Sequence, residues 1–315
     1  MTRAPLFDDV ADGPQGGFAV WVNAPDSMRL RLGIWPKAAA KGTVFLLPGR
    51  TEYIEKYGRA AADLGVRGYA TISLDFRGQG LSARLSADPM TGHIQDFSQY
   101  QLDLDTMLDT AQRHELPQPY FLLSHSMGGC IALRRLVSGG HPFQAAVFSA
   151  PMWGIALSSW MRPVAGVITA VSSLFGLSHL YAPGTGAKTY VTDAQFMGNV
   201  LTTDPDMWRY MAEQALAHPE LTLGGPSIAW GRAALMECHA LSMLPSPSLP
   251  CYTALGTAEK VVDPMPIHAR MAIWAGSKLD LYTGAEHEIM MEGPQARARF
   301  FDSACALFDA QKPNP

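Results

Sequence analysis

An α/β fold is expected, a mostly parallel sheet with helices on both faces and a helical cap inserted over it, and three features of the sequence point there. Short apolar runs of the buried-strand type alternate with stretches of helical spacing through residues 43–149 and again through 250–310. Residues 122–130, Leu-Leu-Ser-His-Ser-Met-Gly-Gly-Cys, read as strand, sharp turn and helix, with small residues where two backbones nearly touch. Residues 153–248 interrupt the alternation with helical periodicity and a composition rich in Trp, Met, Ala, Gly and Pro. The expected organisation is a core of residues 1–152 and 249–315 with a cap of residues 153–248. At 315 residues and 48% hydrophobic, the chain can bury a core of that size.

Taken in order, residues 17–22 and 28–35 read as a hairpin around Asn-Ala-Pro-Asp-Ser at 23–27. Residues 43–47, Thr-Val-Phe-Leu-Leu, are a bounded apolar run closed by Pro48 and Gly49. A helix over 54–64 follows, then a strand over 69–74 that ends in Asp-Phe-Arg-Gly-Gln-Gly-Leu-Ser at 75–82. Residues 97–113 carry Tyr100, Leu104, Met107, Leu108 and Ala111 at helical spacing with acids outward. A strand at 120–123, a helix through 137 and a strand at 144–149 complete the first part. Pro-Ser-Pro-Ser-Leu-Pro at 245–250 reads as the linker back to the core. A strand over 250–256, a helix near 267–274, a strand over 278–282 and a helix near 295–310 then close the chain. In a sheet of this kind, reactive groups belong on the loops at the strands' C-terminal ends.

The totals narrow the function. A net charge of −4 and a pI near 6.1 leave no broad basic field for nucleic acid. Cys130, Cys238, Cys251 and Cys305 are scattered without a CxxC pair and read as reduced, buried thiols, which suits a cytoplasmic setting. The first ten residues lack the apolar core of a secretory signal. No apolar run reaches the ~18 residues of a membrane span, so contact with a membrane would be peripheral.

Ser126 is the candidate nucleophile. The usual elbow is Gly-x-Ser-x-Gly, and Ser124 stands for the first Gly, small enough to fit. A Gly-rich turn of no chemical consequence would look similar, so partner groups must carry the argument. A Ser hydroxyl needs a His base, and the His needs a carboxylate to hold its tautomer; in this architecture both follow in the order Ser, acid, His. His287, just past the strand at 278–282, is the candidate base. His125 belongs to the elbow, His268 to a helix, and the remaining six to loops or the cap. Residues 256–263, Gly-Thr-Ala-Glu-Lys-Val-Val-Asp, offer Glu259 or Asp263 as the acid. Asp263 precedes Pro264 and reads as a helix N-cap, which favours Glu259. Backbone N–H groups of Met127 and Arg50 are the candidate oxyanion donors. The Arg50 side chain reads as solvated, with an anionic head group as the alternative partner.

With these motifs together, the chain resembles the α/β-hydrolase superfamily, particularly its bacterial lysophospholipase and monoacylglycerol lipase branch. The resemblance rests on Asp75, Arg77, Gly78, Gly80 and Ser82 in the Asp-x-Arg-Gly-x-Gly-x-Ser loop, on Ser124 to Gly128, and on Gly284 to Glu288 as Gly-Ala-x-His-Glu. Residues 201–204 and 223–230 also look lysophospholipase-like. Pro48 departs from the family's His in the His-Gly turn, and Glu259 stands where the family commonly has Asp, though lysophospholipase-like members tolerate Glu. The resemblance implies hydrolysis of carboxylic esters through an acyl-enzyme, without metal or cofactor. Trp153, Trp160, Met161 and Phe175 in the cap motivate a single-acyl-chain lipid as substrate. The alternatives are a short-chain carboxylesterase or thioesterase, or a non-catalytic binding module on the same scaffold. Epoxide hydrolase and dehalogenase chemistry usually want Asp at position 126.

Overall fold

The computed structural model describes residues 1–156, 172 and 174–311. Its strands are β1 (Thr2–Ala4), β2 (Phe18–Asn23), β3 (Arg29–Trp35), β4 (Thr43–Leu47), β5 (Ala70–Asp75), β6 (Tyr120–His125), β7 (Phe143–Ser149), β8 (Cys251–Gly256) and β9 (Ser277–Tyr282). They form one sheet in the order β1-β2-β3-β5-β4-β6-β7-β8-β9. β1, β2, β3 and β5 pair antiparallel, and every pairing from β5 through β9 is parallel. β4 to β8 are buried along almost their whole length, as continuous apolar runs in a doubly covered sheet should be. β9 is the edge strand and is half exposed.

The helices are α1 (Asp8–Ala11), α2 (Gly58–Val66), α3 (Gln99–Arg113), α4 (Met127–Ser138), α5 (Tyr190–Asp193), α6 (Pro205–Ala217), α7 (Ile228–Ser242), α8 (Pro264–Ile273) and α9 (Pro294–Asp309). Because alternate strand residues face opposite ways, each strand feeds two cores. Phe45, Ile72, Leu122 and Phe148 pack on α3, α4, α7 and α8. Val44, Leu46, Leu123 and Val147 pack on α2, α6 and α9. Helices therefore cover both faces, as the alternation of the sequence implies. Two elements have no counterpart in that reading. β1 is too short to show a period, and its register on β2, with Arg3 opposite Val20, is a long-range contact. α1 is a single turn.

Between β7 and β8 the described residues carry α5, α6 and α7, and the latter two are anchored on the core. Tyr210 on α6 donates its hydroxyl to Ala11 O at 2.7 Å and Glu55 O at 2.9 Å, and Arg134 on α4 holds Glu237 on α7 at 2.6 Å. Trp153 is not a cavity residue: its ring packs between Phe148 and Trp274, inside the core. Phe175 is exposed, and Trp160, Met161 and most of residues 163–175 lie outside the described residues. Among the described residues no helix is long and apolar enough to cross a membrane.

Candidate active site

β6 runs into α4 through Ser126, whose φ of 49° and ψ of −117° are strained for a residue with a Cβ. The strain is held from both sides: Ser126 N–H donates to Ser149 O at 3.1 Å, and its carbonyl accepts from Met152 N at 2.8 Å and Gly129 N at 2.9 Å. The small residues around it are required by contact. A Cβ on Gly128 would sit 2.3 Å from Leu47 O, and one on Gly129 2.5 Å from Pro151 Cβ. Ser124, in place of the usual Gly, points its hydroxyl at Val147 O on the neighbouring strand, at 3.4 Å.

His287 follows β9, and its loop is pinned by residues of the insertion: His287 N donates to Val200 O and Glu288 N to Leu201 O. Thr202 Oγ1 on Met291 O at 2.5 Å and Thr203 N on Glu292 at 3.0 Å extend that seam, which accounts for the motif at 201–204. His287 Nδ1 meets Glu259 Oε2 at 2.7 Å with both side chains nearly shut off from solvent. Glu259 Oε1 accepts from the N–H groups of Val261 and Val262 at 2.6 and 3.1 Å. Burial pushes the Glu259 carboxyl up, but the His287 bond and these two amides outweigh it and hold the group below its usual value. Asp263 Oδ1 accepts from Met265 N at 3.0 Å and caps α8, whereas the carboxylate that meets His287 is that of Glu259. Among the described residues Ser126 Oγ and His287 Nε2 make no hydrogen bond, and both face one cavity of about 380 Å³.

Met127 opens α4, so its N–H has no intrahelical acceptor. Across the cavity the loop after β4 carries Arg50, whose N–H also has no acceptor among the described residues. That loop is fastened by residues the sequence reading did not single out. Gln79 accepts from Thr51 N at 2.9 Å and donates to Gly49 O at 3.0 Å, while Glu52 accepts from Gly49 N and the Tyr57 hydroxyl. Gln79 sits inside the conspicuous run at 75–82, whose other polar members are architectural. Asp75 binds Ile54 N, Leu81 N and Arg31, and Arg31 in turn binds Glu55 through two bonds of 2.7 Å, all fully buried. Arg77 binds Asp103 and Asp26.

Beneath Ser126 and His287 lies a second buried ionic group. Lys56 Nζ bridges Glu52 at 2.8 Å and Glu288 at 2.6 Å, and His125 Nε2 stands 3.6 Å from Glu52. Desolvation lowers the His125 pKa to about 3, so it is neutral and donates Nδ1–H to Ser149 O. Burial raises the Glu288 carboxyl despite Lys56, whereas at Glu52 the Lys56 charge and the bonds from Lys56 and the Tyr57 hydroxyl overcome burial and bring it to about 2. Glu52, His125 and Glu288 are close enough together to ligate a metal ion, but the Lys56 ammonium already holds both carboxylates. Glu52 and Lys56 are four residues apart, one helical turn, and that opposite-charge spacing was the available signal.

The Arg50 side chain is part-buried rather than freely solvated. Its guanidinium packs over the Trp230 ring at 5.3 Å, its Nη2 donates to Gly224 O at 2.6 Å, and its Nε is fully enclosed without a partner. The conformation is set by Gly92, where a Cβ would stand 2.7 Å from Nη2, and by the 223–230 segment, whose Gly224 and Gly225 bond to Met90 and Gly92.

A strained Ser at the tip of β6, an imidazole after β9 and an acid after β8, converging above a doubly covered parallel sheet, define the chain as a serine hydrolase of the α/β-hydrolase class. It belongs to the family described as "Serine aminopeptidase, S33", which matches residues 38–294. Curated relatives carry lipid names. The chain is 27% identical to a probable lysophospholipase L2 of Haemophilus influenzae over 279 residues, covering 88% of this chain and 87% of that protein. It is 30% identical to lysophospholipase L2 of Escherichia coli over 267 residues, 81% and 76% of the two chains. Among solved structures, a soluble variant of the monoglyceride lipase from Saccharomyces cerevisiae superposes with a TM-score of 0.73 at 18% identity, over 95% of this chain and 97% of that one. The Paleococcus ferrophilus monoacylglycerol lipase gives 0.66, also at 18%, over 89% and 98%. The chain is therefore a serine ester hydrolase of this family.

Proposed function

We propose that the chain hydrolyses the single acyl ester of a lysophospholipid or monoacylglycerol through an acyl-enzyme. Ser126 Oγ attacks the ester carbonyl carbon while His287 Nε2 takes its proton. Glu259 holds Nδ1–H and the positive charge that develops on the ring, and the N–H groups of Arg50 and Met127 receive the oxyanion. The tetrahedral intermediate expels the glycerol-side alkoxide, which leaves with the proton from His287. Water, deprotonated by the same ring, then attacks the acyl carbon and frees the fatty acid and Ser126. The 2.7 Å bond between His287 Nδ1 and Glu259 carries this reading, because it leaves Nε2 as the acceptor on the cavity side. Met152, Ile155, Leu201, Met211 and Trp230 give that cavity an apolar lining suited to one acyl chain.

Residues 153–248 act as the cap over this site in our reading. Leu174, Phe175, Leu177 and Leu180 are exposed together at its surface, which supports peripheral contact with a lipid surface. All four cysteines are free and buried, which fits a cytoplasmic, reducing compartment. The test is release of free fatty acid from 1-palmitoyl lysophospholipid and from 1-palmitoylglycerol by the wild type, with none from Ser126→Ala. Activity confined to short water-soluble esters would remove the acyl-chain claim.

A further inference from the structure

Arg50 is a part-buried cation on the wall of the catalytic cavity. Arg31, Lys56 and Arg77 each hold two carboxylates, whereas Arg50 and Arg270 have no acidic partner among the described residues. Arg270 donates to Leu241 O, Leu244 O and Ser246 away from the catalytic cavity, while Arg50 lines that cavity. A guanidinium taken out of water without a counter-charge is unfavourable. Burial pulls its pKa down to about 10, so it is still protonated at neutral pH. The fold nevertheless holds it in place. Gly92 leaves it room, Gly224 O accepts from Nη2, and Trp230 supports its face, so the group is held toward the cavity. Its Nη1 has no hydrogen-bond partner among the described residues and, unlike Nε, is not sealed off. Arg50, Thr222, Pro226 and Trp230 line the same cavity as Ser126 and His287.

We propose that the Arg50 guanidinium is the subsite for a phosphate-type monoanion, filled in catalysis by the phosphodiester of a lysophospholipid head group while its ester lies at Ser126. A guanidinium offers forked N–H donors that suit phosphate oxygens, and the missing counter-charge is the one that a phosphodiester brings and a monoacylglycerol lacks. The backbone N–H of Arg50 faces the oxyanion in our reading, so one residue then reads both ends of the substrate. This inference rests on the lipid-ester reading above and gives it a preference: lysophospholipid over monoacylglycerol.

The experiment compares kcat/KM for 1-palmitoyl lysophosphatidylglycerol and 1-palmitoylglycerol in the wild type, Arg50→Lys and Arg50→Met. The wild type is expected to favour the phospholipid, and Arg50→Met to lower that ratio by about 10- to 100-fold, the size of a lost charge-assisted hydrogen bond. Arg50→Lys, which keeps the charge without the fork, falls between. Equal loss on both substrates would make Arg50 a structural residue and overturn the proposal. A second arm needs no lipid hydrolysis: glycerol 3-phosphate should compete with p-nitrophenyl butyrate in the wild type, and less well in Arg50→Lys. Absence of that competition also overturns the proposal, including where Arg50→Met does not fold. If inorganic phosphate competes as well as glycerol 3-phosphate and the lipid ratio does not move, the site takes free anions and the head-group assignment fails. A wild type that cleaves the butyrate ester and neither lipid refutes the lipid reading itself, and the competition arm still decides the anion site.

Discussion

Replacing Glu259 by Gln changes one atom of the site and should stop it. Val261 and Val262 N–H both point at Oε1, so the amide oxygen of the introduced side chain would take that position and turn its NH2 toward His287 Nδ1. Nδ1 must then accept, the ring proton moves to Nε2, and the imidazole faces Ser126 as a donor that cannot take the serine proton. The lost charge-assisted hydrogen bond alone is worth about 1.5–3 kcal/mol. The inverted tautomer brings the total to a fall of about ten-thousandfold in kcat, or about 5.4 kcal/mol of transition-state stabilisation. Both side chains are nearly shut off from solvent, so water has little access to substitute for the carboxylate. The assay is steady-state hydrolysis of p-nitrophenyl butyrate, with Asp263→Ala as the companion variant. Asp263→Ala removes the α8 cap and should cost about 1 kcal/mol of stability with kcat unchanged. A Glu259→Gln enzyme within tenfold of wild type, or an equal loss in Asp263→Ala, would refute the reasoning.

Gln79→Ala should lower kcat with little change in KM, because it frees Thr51 and Gly49 in the loop that presents the Arg50 N–H; an unchanged kcat would show that the loop holds without it. Arg31→Met leaves Glu55 and Asp75 buried without their cation, and urea unfolding should show a loss of about 3–5 kcal/mol; a variant as stable as wild type contradicts the buried-pair account. Glu52 has a folded-state pKa near 2 against an ordinary 4.5, so its stabilisation is complete above pH 4.5 and lost as pH falls toward 2. Glu52→Gln should accordingly flatten the acid limb of Tm against pH in that window, and an identical slope would contradict the assignment. Gly128→Ala forces a Cβ against Leu47 O and Pro48 O and should destabilise by about 1–3 kcal/mol, read as a lower Tm.

Local pattern made the sheet readable: β4 to β8 are apolar runs bounded by Gly, Pro and Asp, and each is buried on both sides because helices follow it in sequence. The strained turn at Ser126 was legible for a similar reason, since the small residues that the backbone needs at Ser124, Gly128 and Gly129 are neighbours in the chain. At the acid position, the Asp-Pro pair at 263–264 carries a local signal, and Asp263 does cap α8. What escaped depends on partners far away in sequence. Arg50 looks like any surface Arg until Gly92, Gly224 and Trp230 close around it. Lys56 and Glu288 lie near opposite ends of the chain, and no periodicity announces their pairing. Trp153, read as a cap residue by composition, belongs to the core because its ring stacks on Trp274 at the C-terminal end of α8.

The convergence of residues 126, 259 and 287 is tested most directly by the rate at which a fluorophosphonate labels the protein, followed by intact mass and peptide mapping. An activated hydroxyl should give one adduct per chain, located on Ser126, with labelling absent in Ser126→Ala and strongly slowed in Glu259→Gln and His287→Ala. Labelling of another residue, or a Ser126 rate unaffected by loss of His287, would contradict the account.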